Sequence, residues 1–439
     1  MRTGVTAIAF ALLLGALAAG APAGQAAAPA ANAGVPPDAN TSDPNAPFYI
    51  DLAALDFSTA PPTHDPSNSR YPGATELADG ALPALASRGN FIIGPTHAPA
   101  PETVARPGVP TGRVVSFTMR STDSAIYRPG LVRDEPQWNA AIRTAKAAPG
   151  DPSNLLISTS HPGTWTRSVS VYVPNGPRVA SPAPFLVFGD GGGGFDRTVF
   201  TTLDNLIAAH RLPAIVAISV GNGGQDAQGS QRGFEYDTVS GTYAEWIERE
   251  VLPLVEQHAH IRLTRDPDGR ATMGLSSSGA AAFSMAWFHP ELYHRVLGYS
   301  PTMVNQQWPH NPALRGGAWE YHSAWPGPAL PVAVVNGLAV PAPSDAEIGT
   351  PLIARGPRRP IRYWFEVGDR DLFYPIAAMA DGMHDWVLAN ENMARVLAAG
   401  GYQYQFVFAR NASHVDWQTL LQTLPTALEW VWQGYPVRP

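Results

Sequence analysis

Two short apolar runs constrain this chain most. Phe185-Leu186-Val187-Phe188 contains no polar residue and stops in Gly189-Asp190-Gly191-Gly192-Gly193-Gly194, and Ala214-Ile215-Val216-Ala217-Ile218-Ser219-Val220 repeats the pattern further on. Such runs suit strands buried on both faces, and a sheet of that kind needs helices on both sides. Helical spacing follows over Leu203–His210. It recurs over Tyr243–His258, where Trp246, Ile247, Val251, Leu252 and Val255 share one side. Further strands are expected at Arg270–Met273, Val296–Tyr299, Ile361–Val367 and Tyr404–Phe408. Further helices are expected at Gly279–Trp287, at Met383–Ala399 closed by Gly400-Gly401, and at Leu420–Trp432. Val114–Met119 and Ser168–Val173 alternate with period two, as half-buried antiparallel strands do. Strand and helix alternate over most of the chain after Gly112, the pattern of an α/β domain with a mainly parallel central sheet.

Composition removes several kinds of chemistry. With 45% hydrophobic residues among 439, the chain can fill a large core. It has no cysteine, so disulfides, thiolate metal sites and a Cys nucleophile are excluded. A net charge of −7 argues against nucleic acid as a partner, which calls for a basic footprint. Lys146 is the only lysine, which leaves one candidate for a Schiff base or a phosphate-cradling amine.

The N-terminus has the layout of an export signal. Met1-Arg2 is followed by apolar Val5–Ala19 and by small-residue sites at Ala19-Gly20-Ala21 and Ala26-Ala27-Ala28. The apolar run falls short of the ~20 residues needed to span a bilayer. Residues 1–28 therefore read as a cleavable signal peptide, the protein as secreted or periplasmic, and no stable membrane anchor is expected. Residues 29–110 read as an Ala/Pro-rich leader and extended arm. From Pro47 to Val109 proline recurs too often for long helices or central strands, although Phe48-Tyr49-Ile50, Leu82, Leu85 and Phe91-Ile92-Ile93 can pack on a neighbour. The α/β domain then occupies 111–437.

The stretch richest in chemistry is Arg270-Ala271-Thr272-Met273-Gly274-Leu275-Ser276-Ser277-Ser278-Gly279. A short strand enters a Gly-x-Ser turn and leaves directly as a helix of small residues, as in the nucleophile elbow of α/β hydrolases. Ser278 stands where the plain Gly-x-Ser-x-Gly pattern has glycine. Taken alone, the turn is equally a Ser-rich helix cap. In that fold the order along the chain is Ser, acid, His. Of His289, His294, His310, His322, His384 and His414, only His414 falls on a loop between the last strand and the last helix. Gly368-Asp369-Arg370-Asp371 follows the preceding strand. It points to Asp371 as the acid, with Asp369 as the fallback, the latter otherwise a turn former or a partner of Arg370. Asp371 would fix the His414 tautomer, and His414 would take and return the Ser276 proton.

Glycines at 191–194 let backbone N–H groups approach a developing negative charge, so Ser277 and either Gly191 or Gly192 are candidate oxyanion donors. The loop does not match Gly-x-Gly-x-x-Gly, and no Gly-Lys-Ser/Thr follows, which disfavours nucleotide binding. Between the elbow and the acid lie Trp308, Trp319, Tyr321, Trp325, His310 and His322. They read either as a cap over a substrate pocket, with Trp308 and Trp319 as contacts, or as ordinary packing. Glu235 either orients a substrate group or pairs with Arg232.

These stretches, together with Leu203-Asp204-Asn205-Leu206-Ile207, Arg232-Gly233-Phe234-Glu235-Tyr236-Asp237, Ala412-Ser413-His414-Val415-Asp416-Trp417 and Leu424-Pro425-Thr426-Ala427-Leu428-Glu429-Trp430, resemble the putative esterase family. That family includes esterase D, enterochelin esterase-like and feruloyl esterase-like proteins. The resemblance runs from about Gly112 to Tyr435 and implies an α/β-hydrolase fold and serine ester hydrolysis without metal or organic cofactor. The implied partner is a small-molecule or sugar-linked ester, with aromatic, sugar-linked and siderophore esters as candidates. An acyltransferase of the same family and a non-catalytic binding module on a hydrolase scaffold are the alternatives. Oligomeric state is left open.

Overall fold

The apolar runs form adjacent interior strands of a ten-stranded sheet. The computed structural model describes residues 73–133, 160–175, 180–224, 230–304, 317–323, 350–372 and 385–437, with the backbone of short strands at 48–51, 137–138, 155–158, 333–335 and 338–340. In chain order the sheet comprises β1 (Thr75–Glu76), β2 (Gly89–Ile93), β3 (Arg113–Arg120), β4 (Thr166–Val173) and β5 (Phe185–Phe188). It continues with β6 (Val216–Val220), β7 (Arg270–Leu275), β8 (Arg295–Tyr299), β9 (Arg362–Arg370) and β10 (Gln403–Ser413). Their spatial order is β1-β2-β10-β9-β8-β7-β5-β6-β4-β3. From β1 to β6 every pairing is parallel, while β4 runs antiparallel to both its neighbours. β5 and β6 are buried at every residue, as their composition demands.

Two apolar cores, one on each face, hold the sheet between helices. On one face pack α1 (Gly193–Ala208) and α6 (Trp417–Trp432). On the other pack α2 (Gln231–Tyr236), the long helix α3 (242–259), α4 (Ser277–Phe288) and α5 (Trp386–Ala399). This is the expected α/β-hydrolase layout. α3 is not one regular helix: Thr242–Trp246 passes through a π turn, Ile247–Val251, before Leu252–Ala259. Pro253 is the physical reason. It has no N–H for the Arg249 carbonyl, and the wider turn, closed by Leu252 N–H to Ile247 O, accommodates it.

The sequence reading allowed no central strand between Pro47 and Val109, and here the structure differs. β2 pairs in parallel with β10 from Gln405↔Gly89 to Ala409↔Ile93. The prolines at 83 and 95 lie outside this ladder, so no N–H is missing from it. The arm beyond it is fastened to α6. Pro425 leaves the Leu421 carbonyl without its helical donor, and the Ala100 N–H occupies that carbonyl at 3.0 Å. Asn205 Nδ2 holds the carbonyls of Glu102 and Val104 at 2.7 and 2.9 Å.

Candidate active site

β7 enters a turn too tight for side chains at its rim. A Cβ on Gly274 would lie 2.1 Å from the backbone of Ser278, and one on Gly279 3.0 Å from Pro301. Ser276, at the apex, has φ 55° and ψ −124°, a left-handed conformation costly for a non-glycine residue. The surroundings hold it there. Ser276 N–H donates to Tyr299 O at 2.9 Å, and its own carbonyl accepts from Gly279 N and Thr302 N at 2.9 and 3.0 Å. Ser278, the departure from the plain pattern, braces the turn: its hydroxyl accepts from Leu275 N and donates to Leu275 O, both at 2.8 Å.

The three residues singled out in sequence meet here. Ser276 Oγ lies 2.9 Å from His414 Nε2, and His414 Nδ1 lies 2.6 Å from Asp371 Oδ1. Asp371 is buried, and its Oδ1 also accepts the Leu372 N–H at 2.6 Å. His414 follows β10 directly. The next residue, Val415, has φ 48° and donates its N–H to Ser300 Oγ at 2.9 Å. The Trp386 ring, at the start of α5, meets the imidazole edge to face at 5.6 Å. Asp369 turns elsewhere: its Oδ1 accepts Ala412 N at 3.2 Å and lies 3.8 Å from Arg370 Nε. Of the other histidines, His289 bonds Glu291 and His294 bonds Asp268, each at 2.8 Å. His322 is buried against Met303 O, and burial lowers its pKa to about 4. His310 and His384 lie outside the described residues.

The glycine loop requires corrections. Gly191 N–H donates to Val220 O at 3.1 Å, because the loop still runs beside β6 at that point. Gly192 N–H donates to Asp196 Oδ1 at 2.7 Å, so α1 begins with this amide already engaged. Neither is free as the oxyanion donor expected. Ser277 N–H opens α4, where no carbonyl four residues back is available to accept it. Asp190 anchors the loop by a bidentate pair with Arg232, 2.7 and 2.6 Å, plus Asn222 Nδ2 at 3.0 Å. Burial opposes the Asp190 charge, but Arg232 and then the hydrogen bonds of Asn222 and Ser278 together outweigh it, so its pKa is lowered.

Glu235 is not available to a substrate. Its carboxylate pairs with Arg167, not Arg232, and both side chains are fully enclosed. Trp319 is buried, its ring edge to face with His322 at 4.7 Å, which makes it packing rather than a pocket wall. Trp308 lies outside the described residues. Sequence reasoning missed Ser300, Thr302 and Trp386. The first two follow directly on β8, and the C-terminal end of a parallel strand is where side chains of a site gather. It also missed Glu366, a buried β9 carboxyl that burial, then Asp371 and Asp416, push well above the usual range. Among the described residues no cluster of His, Asp and Glu is arranged to hold a metal ion, and no helix is long and apolar enough to cross a membrane.

A family model described as "Putative esterase" matches residues 160–422. No curated protein matches the sequence. Among solved structures, the chain is similar to the enterochelin esterase of Shigella flexneri (19% identity, TM-score 0.42, 61% of this chain and 55% of that one). It is also similar to the feruloyl esterase module of Clostridium thermocellum (15% identity, TM-score 0.42, 78% and 96%) and to the ferulic acid esterase of the anaerobic fungus Anaeromyces mucronatus (12% identity, TM-score 0.43, 76% and 96%). The chain spans little more than half the length of the Shigella flexneri enterochelin esterase. The family match covers more than half of the 439 residues and takes in positions 276, 371 and 414, and on that extent the chain belongs to the esterase family.

Proposed function

We propose that the protein is an exported serine carboxylester hydrolase. Ser276 is its nucleophile, His414 its general base and acid, and Asp371 the carboxylate that orients the imidazole. The observation that carries this reading is the unbroken hydrogen-bond chain from Ser276 Oγ through both ring nitrogens of His414 to Asp371, at 2.9 and 2.6 Å.

Ser276 Oγ attacks the ester carbonyl carbon while its proton passes to His414 Nε2. The carbonyl oxygen becomes an oxyanion facing the Ser277 N–H. Collapse breaks the bond to the alcohol oxygen, which leaves with the proton from His414. A water, deprotonated by the same nitrogen, then releases the acid and returns the proton to Ser276. Export rests on the apolar segment Val5–Ala19 behind Met1-Arg2.

Purified protein is expected to release p-nitrophenol from short acyl esters, and Ser276→Ala to abolish the release. Full turnover by Ser276→Ala would refute the assignment. A panel of feruloyl, acetyl-sugar, fatty-acyl and siderophore esters ranks the acyl group, and product analysis with an added alcohol shows whether water or alcohol receives it.

A further inference from the structure

The hydrogen-bond directions around Ser276 can be assigned one by one. A carboxylate only accepts, so His414 Nδ1, 2.6 Å from Asp371, carries its proton there and leaves Nε2 an acceptor. The single Ser276 hydroxyl proton therefore points to Nε2 at 2.9 Å. A second hydroxyl, Thr302 Oγ1, lies 3.3 Å from the same Ser276 Oγ. With the serine proton directed at His414, Thr302 must be the donor in that contact.

Thr302 is placed to keep this role. It is 2% exposed, so water does not replace the contact, and its N–H grips the Ser276 carbonyl at 3.0 Å. The turn carrying it is braced on both sides: Asn390 Nδ2 donates to Pro301 O at 3.0 Å, and Ser300 Oγ receives the Val415 N–H at 2.9 Å.

We propose that Thr302 is a further catalytic residue, whose hydroxyl donates to Ser276 Oγ and stabilises negative charge on that oxygen each time it attacks or leaves. The proposal rests on Ser276 being the nucleophile. In acylation the Oγ–H bond breaks toward His414 as the Oγ–carbon bond forms. In deacylation the Oγ–carbon bond breaks and Oγ takes the proton back from His414. Both steps pass through an oxygen with alkoxide character. A 3.3 Å contact is long between neutral hydroxyls and tightens as its acceptor gains charge. It is therefore stronger in the transition state than in the ground state, which is the condition for catalysis.

The test compares Thr302→Val, Thr302→Ala and Thr302→Ser with the parent, using p-nitrophenyl acetate at concentrations normalised by fluorophosphonate titration of the reactive serine. Thr302→Val and Thr302→Ala are expected to lose about tenfold in kcat with KM unchanged, the rate equivalent of one hydrogen bond missing at the transition state. Thr302→Ser restores the hydroxyl and is expected within about twofold of the parent. Parent-like kcat in the valine or alanine variant, a change confined to KM, or a serine variant as slow as valine each overturns the proposal. If the valine variant does not fold, the alanine and serine variants decide. An active Ser276→Ala control would instead show that the nucleophile itself was misassigned.

Discussion

Arg167 and Glu235 face each other in a bidentate ion pair, and neither side chain reaches solvent. The rings of Trp165 and Trp246 lie 4.1 and 4.5 Å from the guanidinium carbon. Removing one partner of such a pair leaves the other charge buried alone, which costs about 3–5 kcal/mol. Glu235→Ala is expected to lose about that much unfolding free energy in urea melts, whereas kcat/KM of the folded fraction stays within about twofold. Unchanged stability with lost activity would return Glu235 to the substrate pocket.

The two aspartates that sequence left in competition are separable by kinetics. His414→Gln is expected to lose kcat by a factor on the order of 10⁴ or more, and Asp371→Asn by a similar factor through the wrong imidazole tautomer. Asp369→Asn, which keeps an amide oxygen to accept the Ala412 N–H and gives up only the charge 3.8 Å from Arg370 Nε, is expected within about threefold of the parent. A larger loss at 369 than at 371 reverses the assignment.

Ser278 tests why this elbow tolerates a departure from glycine. Ser278→Gly restores the plain pattern but removes both bonds to Leu275. It is expected to lower stability by about 1–3 kcal/mol and to reduce kcat, because the Ser276 backbone loses a brace. Thermal melts and burst kinetics read the two effects separately, and a gain in stability contradicts the brace.

Asp385 gives stability a pH dependence. It caps α5 through Leu388 N at 3.0 Å, and burial raises its pKa from 3.8 to about 7. A raised carboxyl pKa means that the folded state holds the proton more tightly than the unfolded state. Its contribution is therefore fully present below the unfolded value and is lost as pH rises through about 7. Asp385→Asn is expected to flatten that part of the stability–pH curve, measured by urea unfolding at a series of pH values. An unaltered slope shows that another group sets it.

Much of the sheet was legible because its strands are buried on both faces and carry that burial as unbroken apolar runs; Phe185–Phe188 begins and ends as read. Ser276, Asp371 and His414 were legible because each follows a strand with its own pattern. What escaped depends on long-range partners. α1 starts at Gly193, not Leu203, because Asp196 fastens a glycine run that locally looks like loop. β2 hides among prolines, and its pairing with β10 on one side and β1 on the other makes it a strand. Thr302 carries no local signal of its own, since its role comes entirely from where β8 ends.

β2 also carries a consequence for how this protein can be cut down. Its ladder covers one side of β10, the strand that delivers His414, whereas the region matched by the family model begins only at residue 160. A fragment confined to that region would bare β10 as a raw sheet margin, with unpaired amides inviting another copy. Light scattering is expected to show such a fragment self-associating, and its imidazole to lose its footing; a monodisperse, fully active fragment would speak against this. On that expectation the recognisable signature is shorter than the smallest piece that folds.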